Sequence, residues 1–173
     1  MTIDIIENMH GEQQELYNYL VRENQISFSS AVDEVQKKLL ILSIASFFEQ
    51  QVTEIIKNMA TRAGSTNSHL LNFVKNKAIN RQYHSYFQWD GNNANHFFGL
   101  FGEDFRKSAK EDVKNDDNLK EAIRNFLELG LLRNNMVHND FVRFYLEKTS
   151  DEIFSMYLSA RQFIVYLSDK LSR

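Results

Sequence analysis

The chain of 173 residues contains no cysteine and no proline. Without cysteine there can be no disulfide and no thiolate metal site, so nothing ties the chain to an oxidising compartment. Without proline the strongest helix breaker is missing throughout, which favours long uninterrupted helices. Basic charge is not in excess either: 20 Lys and Arg stand against 23 Asp and Glu, a net charge of -3. That balance argues against a protein that coats nucleic acid regardless of sequence, because such proteins carry a broad basic face. A small local site on a structured RNA remains compatible with it.

Familiar chemical motifs are missing as well. There is no G-x-x-x-x-G-K-[ST] loop, no G-x-S-x-G elbow and no G-x-G-x-x-G fingerprint, which removes the common nucleotide-cofactor and hydrolase readings. His10, His69, His84 and His96 show no ligand spacing such as H-E-x-x-H. The expectation is therefore no metal and no cofactor. The longest apolar run, 39–48, is interrupted by Ser43 and Ser46 and flanked by Lys37, Lys38 and Glu49. It falls short of the roughly 20 residues a membrane span needs, and reads as a buried helix. Residues 1–7 lack the basic start and cleavage site of a signal peptide, so the expectation is cytoplasmic residence with no membrane partner.

What is present reads as one soluble globular domain over residues 1–173. Hydrophobic residues make up 43% and charged residues 25%, and the length is enough to bury a real core. Helical periodicity dominates. Ile3, Ile6, Met9, Leu16 and Leu20 form one stripe, predicting a helix over about 2–24. Ser30 with Asp33 three residues on is a weak capping box, and Val35, Leu39, Leu42, Val52, Ile56 and Met59 continue a second stripe for some thirty residues as the spine of the fold. Gly64 and the polar residues after it mark a turn. Leu70, Leu71, Val74 and Ala78 open a third helix reaching to about Tyr86.

The stretch 89–102 mixes glycines and asparagines with Trp89, Phe97, Phe98 and Phe101. It reads as an ordered loop, since so many aromatics would otherwise be left wet. Asp116 and Asp117 can cap a fourth helix with the stripe Leu119, Ile123, Phe126, Leu127 and Leu131. The segment 141–146 is ambiguous between helix and extended chain. Thr149 with Glu152 is a proper capping box for a last helix carrying Ile153, Met156, Tyr157, Ala160, Ile164 and Leu167. The fold class is thus all-α, with five helices in an up-and-down bundle.

The fourth helix delivers the most informative residues, Arg133, Asn134 and His138. Side chains four apart share a helix face, so Asn134 and His138 lie together, and Arg133 flanks them and can swing its guanidinium toward the same space. An imidazole, an amide and a guanidinium without a thiol or carboxylate suit the handling of a phosphate. Each residue also has a plain reading. His138 can satisfy the last carbonyls of its helix, Arg133 can pair with Glu128 or Asp140, and Asn134 can act as a cap.

The spacing R-N-x-x-x-H, late in a five-helix pattern, resembles the signature of the HEPN superfamily. The wider match is to the branch labelled RiboL-PSP-HEPN, in which a long earlier helix carries an apolar run ending in a glutamate, here 39–48 followed by Glu49. The resemblance covers most of the chain. It implies a small all-helical, metal-independent ribonuclease whose two motifs face each other across a homodimer. The setting it implies is toxin–antitoxin or phage-defence biology, with a cognate antitoxin or other regulatory partner.

On that reading His138 is the acid–base group, Arg133 holds the phosphate oxygens and Asn134 orients the imidazole or donates a further hydrogen bond. Glu49 fits a buried partner such as Arg133, or else a partly exposed flank of the spine. Asp140 departs from the family pattern, in which a glycine or tyrosine often lies just after the histidine, and this leaves the geometry beyond His138 open. Lys75, Lys77 and Arg81, followed by Tyr83, Tyr86, Phe87 and Trp89, form a secondary RNA-binding candidate, because basic residues interleaved with aromatics can grip a backbone and stack bases. The rival reading is a non-catalytic HEPN module that dimerises or binds a partner protein or nucleotide.

Overall fold

The computed structural model describes residues 5–64 and 67–172. The expected helix start at residue 2 lies outside that range, as do residues 65 and 66 of the expected turn. Among the described residues the fold is all-α, with α1 (Ile5–Arg22), α2 (Ile26–Ala63), α3 (Ser68–Val74), a π-helical turn (Lys75–Ile79), α4 (Tyr83–Tyr86), α5 (Asn95–Gly99), α6 (Glu103–Asn115), α7 (Asp117–His138) and α8 (Ser150–Ser172). The class agrees with the sequence reading, while the count is eight α-helices in place of five.

The differences have local causes. The α2 helix starts at Ile26, ahead of the Ser30 capping box, and its N-cap Gln25 makes no side-chain cap bond. Ser29 lies inside the first turn and donates its hydroxyl to the Ile26 carbonyl at 2.9 Å. The predicted third helix breaks into α3, the π turn and α4. Asn80 leaves the helix at φ -60, ψ 118 and Arg81 sits at φ 60, a left-handed conformation rare for a side chain of its size. Asn80, Arg81 and Gln82 offer no apolar group to continue the stripe, and the reversal turns Tyr83, Tyr86 and Phe87 into the core.

The α6 helix was not legible because its apolar side is only Phe105, Ala109 and Val113, a single narrow row. Gly102 at its N-cap has φ +100, which lets the chain turn sharply from α5 into α6 where a side chain would be strained. The stretch 89–102 holds α5 within it, and Phe97 and Phe98 are buried. The segment 141–146 is turn and irregular chain.

One continuous core joins α2, α7 and α8. Leu40, Ile41, Ile44, Phe48 and Val52 of α2 meet Ile123, Phe126 and Leu127 of α7 and Ile153, Tyr157, Phe163 and Leu167 of α8. By length and hydropathy α2 is apolar enough to cross a membrane, and here those five side chains are buried in protein. Phe87 anchors the aromatic insertion, stacking on Phe97 at 4.7 Å and meeting Phe126 edge-on at 4.9 Å. Such pairs add about 0.5–1.5 kcal/mol each beyond the area they bury. The insertion therefore packs firmly against the middle of α7.

Candidate active site

The α7 helix is fastened at its start, its middle and its end. At the start, the Asp116 carboxylate accepts from the Leu119 backbone N–H at 3.0 Å, the side-chain cap that the sequence predicts. In the middle, Trp89 lies on Gly130: a Cβ there would stand 2.1 Å from the indole, so only glycine admits the ring. The indole N–H donates to the His84 carbonyl at 2.9 Å, which fixes its orientation. At the end, Asn139 leaves the helix with ψ -179 and its side-chain amide donates to the Asn135 carbonyl at 2.6 Å.

Arg133 and Asn134 are half-buried, and His138 is exposed at the open tip of α7. The Arg133 guanidinium donates to the Asn134 side-chain oxygen at 3.1 Å. Asn134 lies one turn below His138 on the same face, so this bond draws the guanidinium toward the imidazole's side of the helix. The plain readings of these residues do not describe what the structure holds. Asn139, and not His138, serves the helix-end carbonyl. Glu128 pairs with Lys148 at 2.8 Å and Asp140 with Arg143 at 3.5 Å, so neither acid is Arg133's partner. Among the described residues Arg133 makes no ion pair and His138 no hydrogen bond, which leaves a cation and an imidazole open to a ligand.

Glu49 is half-buried on α2 and makes no ion pair with Arg133 among the described residues. The two charges instead bear on one group, the hydroxyl of Tyr83. Burial pushes that hydroxyl well above the ordinary phenol range and the Glu49 carboxylate raises it further, while the Arg133 guanidinium pulls the other way. Tyr83 is thus held neutral, with an acid of α2 and the arginine of the motif acting on it in opposite senses. Sequence reasoning placed it among base-stacking aromatics; a lone tyrosine in an aromatic run carries no signal of this position.

Asp140 has a structural role. Its carboxylate accepts from the Val142 N–H at 3.1 Å and its carbonyl accepts from the Phe144 N–H at 2.8 Å, closing the turn that follows His138. Lys38, which the sequence reading did not single out, clamps this turn from α2. Its buried ammonium donates to the Phe141 and Val142 carbonyls at 2.8 and 3.1 Å. The only hint was its place at the flank of the apolar run 39–48.

Lys75 and Lys77 lie exposed on the π turn and Arg81 at its exit. The aromatics grouped with them do not form a stacking platform: Tyr83, Tyr86 and Phe87 are buried, and the Tyr86 hydroxyl donates to the Ala78 carbonyl. That part of the secondary RNA candidate is corrected, since the rings complete the core. Among the described residues no three His, Cys, Asp or Glu side chains come together as a metal site.

Comparison with known protein families finds a match to the model described as RiboL-PSP-HEPN over residues 8–173. No curated protein and no solved structure matches the chain.

Proposed function

The chain belongs to the RiboL-PSP-HEPN family, and from that premise we propose that it is a metal-independent endoribonuclease acting as a homodimer. The observation that carries this reading is the pairing at the end of α7. Arg133 is held by Asn134 one turn from an exposed His138 and, among the described residues, makes no ion pair with an acid.

Cleavage of RNA without a metal needs three things. A base takes the proton of a 2′-hydroxyl as its oxygen attacks the neighbouring phosphorus. Positive charge holds the phosphorane that forms, and an acid gives a proton to the departing 5′-oxygen, leaving a 2′,3′-cyclic phosphate and a 5′-hydroxyl. Arg133 is always charged and presents paired N–H donors to two phosphate oxygens. Histidine exchanges protons near neutral pH, which suits His138 to base or acid work.

One chain offers one such histidine, and a second copy related by a twofold axis supplies the other. The surroundings of His138 favour that arrangement. Val137, Phe141, Val142 and Tyr145 are exposed beside it, Val142 at 82% and Tyr145 at 72%. Grouped apolar side chains at a catalytic tip are what an interface would cover. The biological setting in this reading is a cytoplasmic toxin or phage-defence nuclease that cuts cellular RNA and is held in check by a partner protein.

One observation favours the alternative of a non-catalytic binding module. His138 has no protein partner, among the described residues, to orient its ring or fix its tautomer. Expression in growing cells separates the two. Wild-type protein arrests growth and His138→Ala does not if the nuclease reading holds; equal harmlessness of both supports the module.

A further inference from the structure

The basic segment that the site at the end of α7 leaves unused has a chemistry of its own. From Ile55 to Trp89 the chain holds five cations, Lys57, Arg62, Lys75, Lys77 and Arg81, and no Asp or Glu. All 23 acids lie elsewhere, in a chain whose net charge is -3, so charge of one sign is gathered here. Lys57 pairs with Glu54 at 3.1 Å and Arg62 donates to the Leu171 carbonyl at 3.0 Å. Lys75, Lys77 and Arg81 are exposed and, among the described residues, make no ion pair.

The same segment turns apolar groups outward. The Asn67 side chain caps α3 by accepting from the Leu70 N–H at 3.1 Å, and the half-buried Leu71, Val74 and Ile79 seat α3 and the π turn on the rest of the protein. Leu70 and Phe73, three apart and so on one side of the helix, are 48% and 64% exposed. No residue of α3 or of the π turn is fully buried. A single exposed leucine is ordinary. Two large apolar side chains leading directly into two lysines, on a stretch free of acids, form an amphipathic element that faces solvent.

We propose that α3 and the π turn dock peripherally on the surface of an anionic bilayer. Leu70 and Phe73 enter the boundary between headgroups and acyl chains, and Lys75 and Lys77 reach the lipid phosphates on flexible stems. Charge complementarity selects this surface, since the segment has no acid for the lipid phosphates to repel, while the rest of the chain is net acidic. RNA fits less well. It would use the cations, but Tyr83, Tyr86 and Phe87, the rings that could stack bases, are buried, and its backbone gives Leu70 and Phe73 nothing apolar to enter. An acidic protein also fits less well, because lysine is depleted at protein interfaces. The inference goes beyond the nuclease reading and uses no residue at the end of α7. It departs from the expectation of no membrane partner, which rests on the length of apolar runs; a helix lying on a surface needs no span.

The test uses the full chain carrying His138→Ala, so that it is read independently of whether the protein is a nuclease. This protein is sedimented with vesicles of phosphatidylcholine alone and of phosphatidylcholine mixed with phosphatidylglycerol. Three variants are compared with it: Lys75→Gln with Lys77→Gln, Phe73→Ser, and, as a control for net charge, Lys110→Gln with Lys114→Gln on α6. All five exchanges are at exposed positions, and circular dichroism verifies the fold. The expected result is binding to the mixed vesicles and not to phosphatidylcholine alone. The Lys75 and Lys77 exchange then weakens it by about 30-fold, Phe73→Ser weakens it as well, and the α6 pair leaves it unchanged. The proposal is overturned if the mixed vesicles bind no better than phosphatidylcholine, or if the α6 pair weakens binding as much as the Lys75 and Lys77 pair. It is also overturned if the latter pair lowers affinity for a single-stranded RNA while leaving vesicle binding intact, which would make the patch a nucleic-acid contact.

Discussion

Trp89 lies directly on Gly130, with the indole occupying the space a Cβ would need. This contact sits one turn before Arg133 and joins the aromatic insertion to the end of α7 that carries Arg133, Asn134 and His138. Gly130→Ala is expected to favour the helix intrinsically yet to destabilise the protein by about 1–3 kcal/mol, because the ring must move out of a packed core. Urea unfolding followed by tryptophan fluorescence measures it, as Trp89 is the single tryptophan. A variant as stable as wild type, with unchanged fluorescence, would remove Trp89 as the fastener of α7.

Lys38 holds the turn after His138 through two carbonyls. Lys38→Met keeps the length of the side chain and removes the donors, leaving both oxygens partly buried without their partner. The expected cost is about 1–3 kcal/mol. Amide hydrogen exchange should speed up over residues 140–146 and remain unchanged in α8. Uniform exchange across the chain would show that the lysine supports the core in general and not this turn.

Tyr83 gives a dependence on pH. Its folded-state pKa stands above the ordinary value of 10.0, because burial and the Glu49 charge disfavour the phenolate. The neutral hydroxyl therefore contributes stability that is fully present below about pH 10 and is lost as the pH rises beyond it. Alkaline unfolding of Tyr83→Phe should begin at higher pH than that of wild type. Coincident curves, with all tyrosines forming phenolate together near pH 10, would place Tyr83 in water and separate it from Glu49 and Arg133.

These residues also mark what a sequence can reveal here. The Asp116 cap and the Thr149–Glu152 box are legible because their partners lie within three residues, and the box forms with the Thr149 N–H donating to Glu152 at 2.7 Å. The stripes of α2, α7 and α8 are legible because each repeats over many turns. The α6 helix escapes because three apolar residues in thirteen are too few for a pattern. Lys38, Tyr83 and the Trp89–Gly130 contact escape for a different reason: their partners are distant in the chain, and only packing brings them together. The triad Arg133, Asn134 and His138 was visible as spacing, whereas the bond from Arg133 to Asn134, and the part played by Asn139 in leaving His138 free, were not.

Arg133→Lys keeps the charge and removes the planar pair of donors. If Arg133 grips a phosphorane, RNA cleavage should fall by about 100-fold or more. Thermal stability should change little, since the guanidinium's one hydrogen bond among the described residues is to the neighbouring Asn134 side chain. Cleavage at the wild-type rate by the lysine variant would reduce the arginine to a point charge.

The most direct measurement is cleavage of total RNA by the purified protein in excess chelator, beside His138→Ala prepared in the same way. Cleavage that persists in chelator, yields 2′,3′-cyclic phosphate ends and vanishes in the variant is the outcome predicted for an imidazole–guanidinium nuclease. Loss of cleavage on chelation, or undiminished cleavage by His138→Ala, would contradict it.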